Sequence, residues 1–196
     1  KFLRRSAAVA TIRVTSLVSV FAMQVLLARL VGDSDEYGRY AWGHSLLYMV
    51  GTLVAMGVPV VSGRFVASLS ARGLEGNTSQ ILHTSQRLLL YSSTATVAIA
   101  TALYLLSGVL PTSNDFAAIA SLALLLAPIQ GYGLLYQNLN HGRQWLVAAF
   151  LPLQVVRPLL LMLLAWLVWY AGSVRLDGMR LLALSGCGWL LTGLAA

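Results

Sequence analysis

Six apolar runs, each of about 20 residues or more, follow one another along this chain, and none contains an Asp or Glu. They lie at 6–31, 40–63, 88–110, 116–138, 145–170 and 178–196. A helical run of that length spans the hydrocarbon of a bilayer, and inside it the backbone must satisfy its own hydrogen bonds. The pattern predicts an all-α, polytopic membrane helix bundle of about six transmembrane helices. Composition agrees: 58% of residues are hydrophobic and 10% charged, where ordinary globular domains carry about 25% charge.

Several function classes fall away on the same grounds. The net charge is +7, but the basic residues are scattered through apolar segments, with no basic cluster interleaved with aromatics. No nucleic-acid partner is expected. The single cysteine, Cys187, forms no internal disulfide and reads as a small packing residue between Gly186 and Gly188. The start, KFLRRSAAVA, resembles the basic head of a signal peptide, yet apolar runs continue to the end, so it reads as the first span. With no initiator Met and an end inside WLLTGLAA, the chain is expected to be part of a longer protein.

The connections alternate in character. The stretches 33–39, 111–115 and 172–177 are short and hold five of the six acids. The stretch 64–87 is longer and polar, and 140–143 is short and basic. Lys and Arg collect on the cytoplasmic side of membrane proteins. A cytoplasmic N-terminus puts Lys1, Arg4, Arg5, Arg64, Arg72, Arg87 and Arg143 inside, with Arg29, Arg39, Arg175 and Arg180 outside. That orientation is expected. The acidic DSDEYGR then forms an outward turn. Pro59, Pro128, Pro152 and Pro158 fall within or beside spans, as static kinks or as bends that move between two states.

Enzyme signatures are lacking. His44, His83 and His141 are far apart, no Gly-rich phosphate loop precedes a helix, and no paired carboxylates lie within a span. No catalytic centre, metal or cofactor is expected. The informative residues are polar groups inside spans. At about 100° per residue, Ser6, Arg13, Ser16 and Gln24 share one face of the first span, within about 80°. Arg13 either snorkels to the headgroups or faces water or protein. Arg157 sits near the middle of the fifth span with Gln154 three residues earlier, and at that depth it calls for a cavity or a buried partner. Gln130, Gln137 and Asn138 add polarity to the fourth span, and His44, Tyr48, Gly51, Ala55 and Ser62 form a small, polar face on the second. Arg13 and Arg157, well inside their spans, with no acid in any span, favour an anion over a cation as cargo.

Two stretches carry a resemblance. LLARLVGDSDEYGRYAWGHSLLYMVGTLVAMGVPVVSGRFVA (26–67) joins a short apolar segment bearing Arg, a Gly and a YGRY turn to a second span with a mid-helix Gly and an Arg-bearing end. NLNHGRQWLVAAFLPLQVVRPLLL (138–161) sets a Gly-Arg turn before an apolar stretch and Arg-Pro. Together they resemble the N-terminal part of O-antigen and polysaccharide flippases, members of the multidrug/oligosaccharidyl-lipid/polysaccharide exporter superfamily.

The resemblance implies one lobe, residues 1–196, of a two-lobe transporter of twelve to fourteen helices, its C-terminal lobe lying beyond this sequence. It implies alternating-access flipping of an isoprenoid-pyrophosphate-linked oligosaccharide across the bacterial cytoplasmic membrane, for surface polysaccharide biosynthesis. The partners would be this anionic lipid-linked glycan, the lipid bilayer and other polysaccharide-assembly membrane proteins. Arg13 and Arg157 would bind the headgroup, and Gln24, Asn138 and Gln154 the sugar hydroxyls. Those roles follow from position, since the matched pattern itself covers only Arg157 closely. Three other functions stay open. A cation-coupled multidrug exporter would want a buried carboxylate. A membrane-embedded glycan-assembly enzyme would want a clustered acid or His site in a sizeable outer loop. A scaffold subunit would tolerate Ala at Arg13 and Arg157.

Overall fold

The acidic seam at 33–39 opens a helix. Gly32, at φ +68°, ends the helix before it, and the Asp33 carboxylate accepts a hydrogen bond from the Asp35 N–H at 2.9 Å. Asp35 and Glu36 in the first turn oppose the positive end of the helix dipole. Glu36 also pairs with Arg39 at 3.1 Å and accepts from the Gly178 N–H at 2.9 Å. Gly178 packs so closely that a Cβ there would lie 2.7 Å from the Glu36 carbonyl. The seam therefore clamps the start of one helix onto the start of another, 142 residues away.

The computed structural model describes residues 2–73, 78–107, 114–170 and 177–194. In chain order they form α1 (Phe2–Val31), α2 (Ser34–Ala55), α3 (Val58–Ala71), α4 (Thr78–Ser107) and α5 (Asn114–Gly142). Then follow α6 (Leu146–Leu151), a π-helical segment (Pro152–Val156), α7 (Arg157–Tyr170) and α8 (Gly178–Leu194). No strand occurs among the described residues. The expected connections at 111–115 and 172–177 lie largely outside them, as do Lys1 and Arg175, and for Arg4, Arg5 and Ser6 only the backbone is described. Four helical stretches are long and apolar enough to cross a bilayer, or five with α2 and α3 taken as one bent span. The chain is thus an all-α helical bundle with the build of a multi-pass membrane protein.

Helix α5 is the centre, packed against α2, α3, α4, α6 and α8. One apolar core joins Leu27 of α1, Leu47 of α2, Ala123 of α5, Leu161 of α7 and Leu182 of α8. A second joins Ala55, Val66, Leu89 and Leu135 across α2 to α5. Small residues permit the close approaches, as expected where helices associate in lipid. A Cβ on Gly51 would meet the Gln130 side chain at 2.7 Å, and one on Gly63 the Asn138 carbonyl at 2.7 Å.

Two features depart from six uninterrupted spans. The expected span 40–63 is broken: Met56 (φ +46°) and Gly57 (φ +74°) both turn left-handed, and α2 and α3 meet at 52°. Pro59 then sits in the first turn of α3, where its missing N–H costs nothing. The Ser92 hydroxyl of α4 donates to the Val54 carbonyl at 2.8 Å, satisfying a group near the break. The span expected from Leu88 begins ten residues earlier, at Thr78, because Ser85 and Gln86 find partners on neighbouring helices. A milder feature is the widened turn at 152–156. Pro158 lacks an N–H and its ring would crowd the carbonyl four residues back, and the Arg157 N–H bonds instead to the Pro152 carbonyl.

The break yields a simple prediction. No atom lies within 4 Å of a Cβ built on Gly57. Gly57→Ala should therefore cost only the left-handed backbone term, about 1 kcal/mol, in the thermal unfolding of detergent-purified protein. A loss above about 3 kcal/mol would mean that side-chain packing, and not backbone freedom, decides this position.

Candidate functional site

Two polar centres lie within the bundle, and different helices build them. The first is a cavity of about 960 Å³ between α1, α3 and the end of α5, with the start of α6 at its edge. Arg13 enters from α1, Arg64 from α3, and Asn138 and His141 from the last turns of α5. Both arginines are exposed into it, and no Asp or Glu is among its lining residues. Gly63 and Gly142 lie at the wall where α3 meets α5. The Asn138 amide donates to the Leu134 carbonyl at 2.8 Å, which fixes its orientation on α5. The His141 ring packs edge-on against Phe150 at 5.6 Å.

Two guanidinium groups from separate helices line this cavity, and no carboxylate is among its described lining residues. A guanidinium offers a planar fork of donors suited to phosphate oxygens. Apart from Gln144 the remaining walls, among them Val9, Val60 and Leu146, are apolar, so charge inside the cavity is screened less than in open water.

The second centre is closed. Arg157 is only 7% exposed. One terminal nitrogen donates to the Tyr48 hydroxyl. The other lies 3.1 Å from His44 Nε2 and 3.3 Å from the Ser185 hydroxyl. A guanidinium only donates, so Nε2 of His44 must accept, which fixes the imidazole tautomer. The guanidinium carbon sits 3.9 Å from the centre of the Trp189 ring and 5.3 Å from that of Tyr48. Among the described residues no carboxylate is a partner of Arg157, and its Nε has no hydrogen-bond acceptor. Cation–π attraction and neutral hydrogen bonds therefore carry the whole compensation for a charge deep in the bundle.

The five residues expected to bind substrate do not share one site. Arg13 and Asn138 line the open cavity together. Arg157 is enclosed between α2, α7 and α8. Gln24 is exposed on α1, and Gln154 lies part-buried in the π-helical segment; neither is among the cavity's lining residues or Arg157's hydrogen-bond partners. Sequence reasoning missed Arg64 as a cavity residue, using it only as an inside charge and as the Arg-bearing end in the 26–67 pattern. It also grouped His44 with Tyr48 on one face of α2 without finding the arginine they hold. Their four-residue spacing was the available signal.

Compared with protein-family models, curated proteins and solved structures, the chain matches none.

Proposed function

We propose that this chain is the substrate-loading lobe of a transporter that flips a diphosphate-linked, lipid-anchored oligosaccharide across the bacterial cytoplasmic membrane by alternating access. The observation that supports this reading best is the acid-free cavity holding Arg13 and Arg64. In it the two arginines grip the diphosphate, while Asn138 and Gln144 offer amide groups to the first sugars. This replaces Arg157 with Arg64 as the second headgroup ligand. In this reading Arg157, Gln24 and Gln154 do not hold the substrate.

The cavity lies toward the end of the bundle that holds the start of α1 and the ends of α3 and α5. With the N-terminus cytoplasmic, as the charge balance favours, it opens toward the leaflet in which a lipid-linked precursor would be assembled. The break at Met56 and Gly57 joins the cavity-lining α3 to the more deeply packed α2 and is the natural hinge. A cation-coupled drug exporter gains no support from an acid-free cavity.

The reading is tested in cells lacking the full-length gene, by probing lipid-linked oligosaccharide with a membrane-impermeant reagent. Inner-leaflet accumulation reversed by the wild-type gene is expected. An unchanged leaflet distribution, in cells with no second flippase, would remove oligosaccharide as the cargo.

A further inference from the structure

Helix α3 has a second recess on its other side. The cavity is lined by Val60, Gly63, Arg64 and Ala67 of this helix. Val61, Phe65 and Leu69 instead line a groove of about 480 Å³ against α4. At about 100° per residue the two sets point to faces about 150° apart, so α3 is a wall between the recesses. The groove floor is the Ser62–Ser85 hydroxyl pair at 2.6 Å, and each hydroxyl also reaches a carbonyl of its own helix at 2.7 Å. These polar atoms are satisfied internally and ask nothing of an occupant. Phe65 and Leu88 are more than half exposed at the sides.

The medium narrows what fills such a groove. It lies in helices that belong to bilayer-crossing stretches. Water would find too few partners along these apolar walls, and an empty recess would forfeit dispersion contacts. Hydrocarbon satisfies both conditions. The groove also has a direction. Its deep end is Met56, Gly57 and Leu88, and its other end is Leu69 and Gln80, next to the α3–α4 connection. Arg72, the exposed residue that caps the end of α3, follows Leu69 by three residues and stands just past this end of the groove, outside its lining. From the groove to the arginine beyond it the order is apolar, polar, cationic, the order of groups along an anionic lipid from chain end to phosphate.

We propose that the α3–α4 groove binds one acyl chain of an anionic phospholipid drawn from the leaflet faced by the α3–α4 connection, with the lipid phosphate against Arg72. This inference needs only the membrane setting and does not rest on the flippase reading. A substrate held at Arg13 and Arg64 is on the far side of α3, which favours a phospholipid over the substrate's own tail. The chain end packs at Met56 and Gly57, so an occupied groove supports the angle between α2 and α3.

The test uses full-length protein in nanodiscs containing phosphatidylglycerol or phosphatidylcholine with a photoactivatable group near the acyl-chain end, and maps adducts by mass spectrometry. Adducts should concentrate on groove residues such as Phe65 and Leu88, above the comparably exposed Leu17 and Phe21 of α1. The phosphatidylglycerol probe should label the groove about fivefold more than phosphatidylcholine, as expected for one Arg at the membrane surface. Arg72→Gln should remove that preference, and Thr84→Phe should fill the groove and abolish its labelling while α1 labelling persists. Arg72 is exposed, so its variant serves even where Thr84→Phe does not fold. Even labelling of groove and α1, or equal labelling by both lipids, overturns the proposal. Displacement of the groove adducts by a polyprenyl diphosphate also overturns it, in favour of a substrate tail.

Discussion

Transport should fall about 100-fold when Arg13 and Arg64 are both changed to Gln. Each guanidinium that grips a phosphate is worth about 1.5 kcal/mol or more as a charge-assisted hydrogen bond, and about 1.4 kcal/mol is a factor of ten. Each single variant should then lose about tenfold. Gln keeps a polar side chain, and both positions are exposed, so the bundle should fold unchanged. Arg29→Gln, at the opposite end of α1 and outside the cavity, should transport normally. The rate of appearance of lipid-linked oligosaccharide in the outer leaflet is the measurement. A double variant within twofold of wild type would show that the cavity does not handle the anion.

Arg157→Ala acts on the fold instead. It orphans His44 and Ser185, empties the space beside Trp189 and removes a cation–π contact. Leaving buried polar groups unpaired costs about 1–3 kcal/mol each and the emptied space adds a cavity cost, and that loss should appear as a lower unfolding midpoint of the detergent-purified protein. Lys does not restore it, since an ammonium lacks the planar fork that serves Tyr48, His44 and Ser185 while stacking on an indole. Arg157→Ala with wild-type stability and abolished transport would be the contrary result, placing Arg157 in the substrate path.

The spans divide into what could be read from the residues and what could not. Spans built on uninterrupted apolar runs were legible: α1 ends at Val31, and the fifth stretch reaches Tyr170 through its widened turn, both at the expected residue. The break at Met56 was not, because Met carries no local signal for a left-handed backbone, and Pro59 alone is compatible with a kink or a new helix start. Thr78–Arg87 read as a polar connection because hydropathy does not reveal partners. The structure supplies them through Ser85 on Ser62 and Gln86 on Tyr136.

The candidate site divides in the same way. The excess of Arg over acid inside spans was visible by counting, and it points to an anion without a structure. Grouping was not visible. Arg13, Arg64 and Asn138 meet only because Gly63 lets α3 lie against the end of α5. Arg157, the deepest charge by position, turns inward to Trp189 and Tyr48 and away from that cavity. Depth along a span predicts the need for a partner, whereas helix packing chooses which partner it is.

The most direct measurement reconstitutes the full-length protein in vesicles with two fluorescent substrates, a polyprenyl diphosphate-linked oligosaccharide and the same molecule with a neutral linker for the diphosphate. Protein-dependent flipping of the first and not the second, lost in the Arg13→Gln/Arg64→Gln double variant, is the predicted result. Equal flipping of both substrates, or equal flipping by wild type and the double variant, would contradict an anion-gripping cavity.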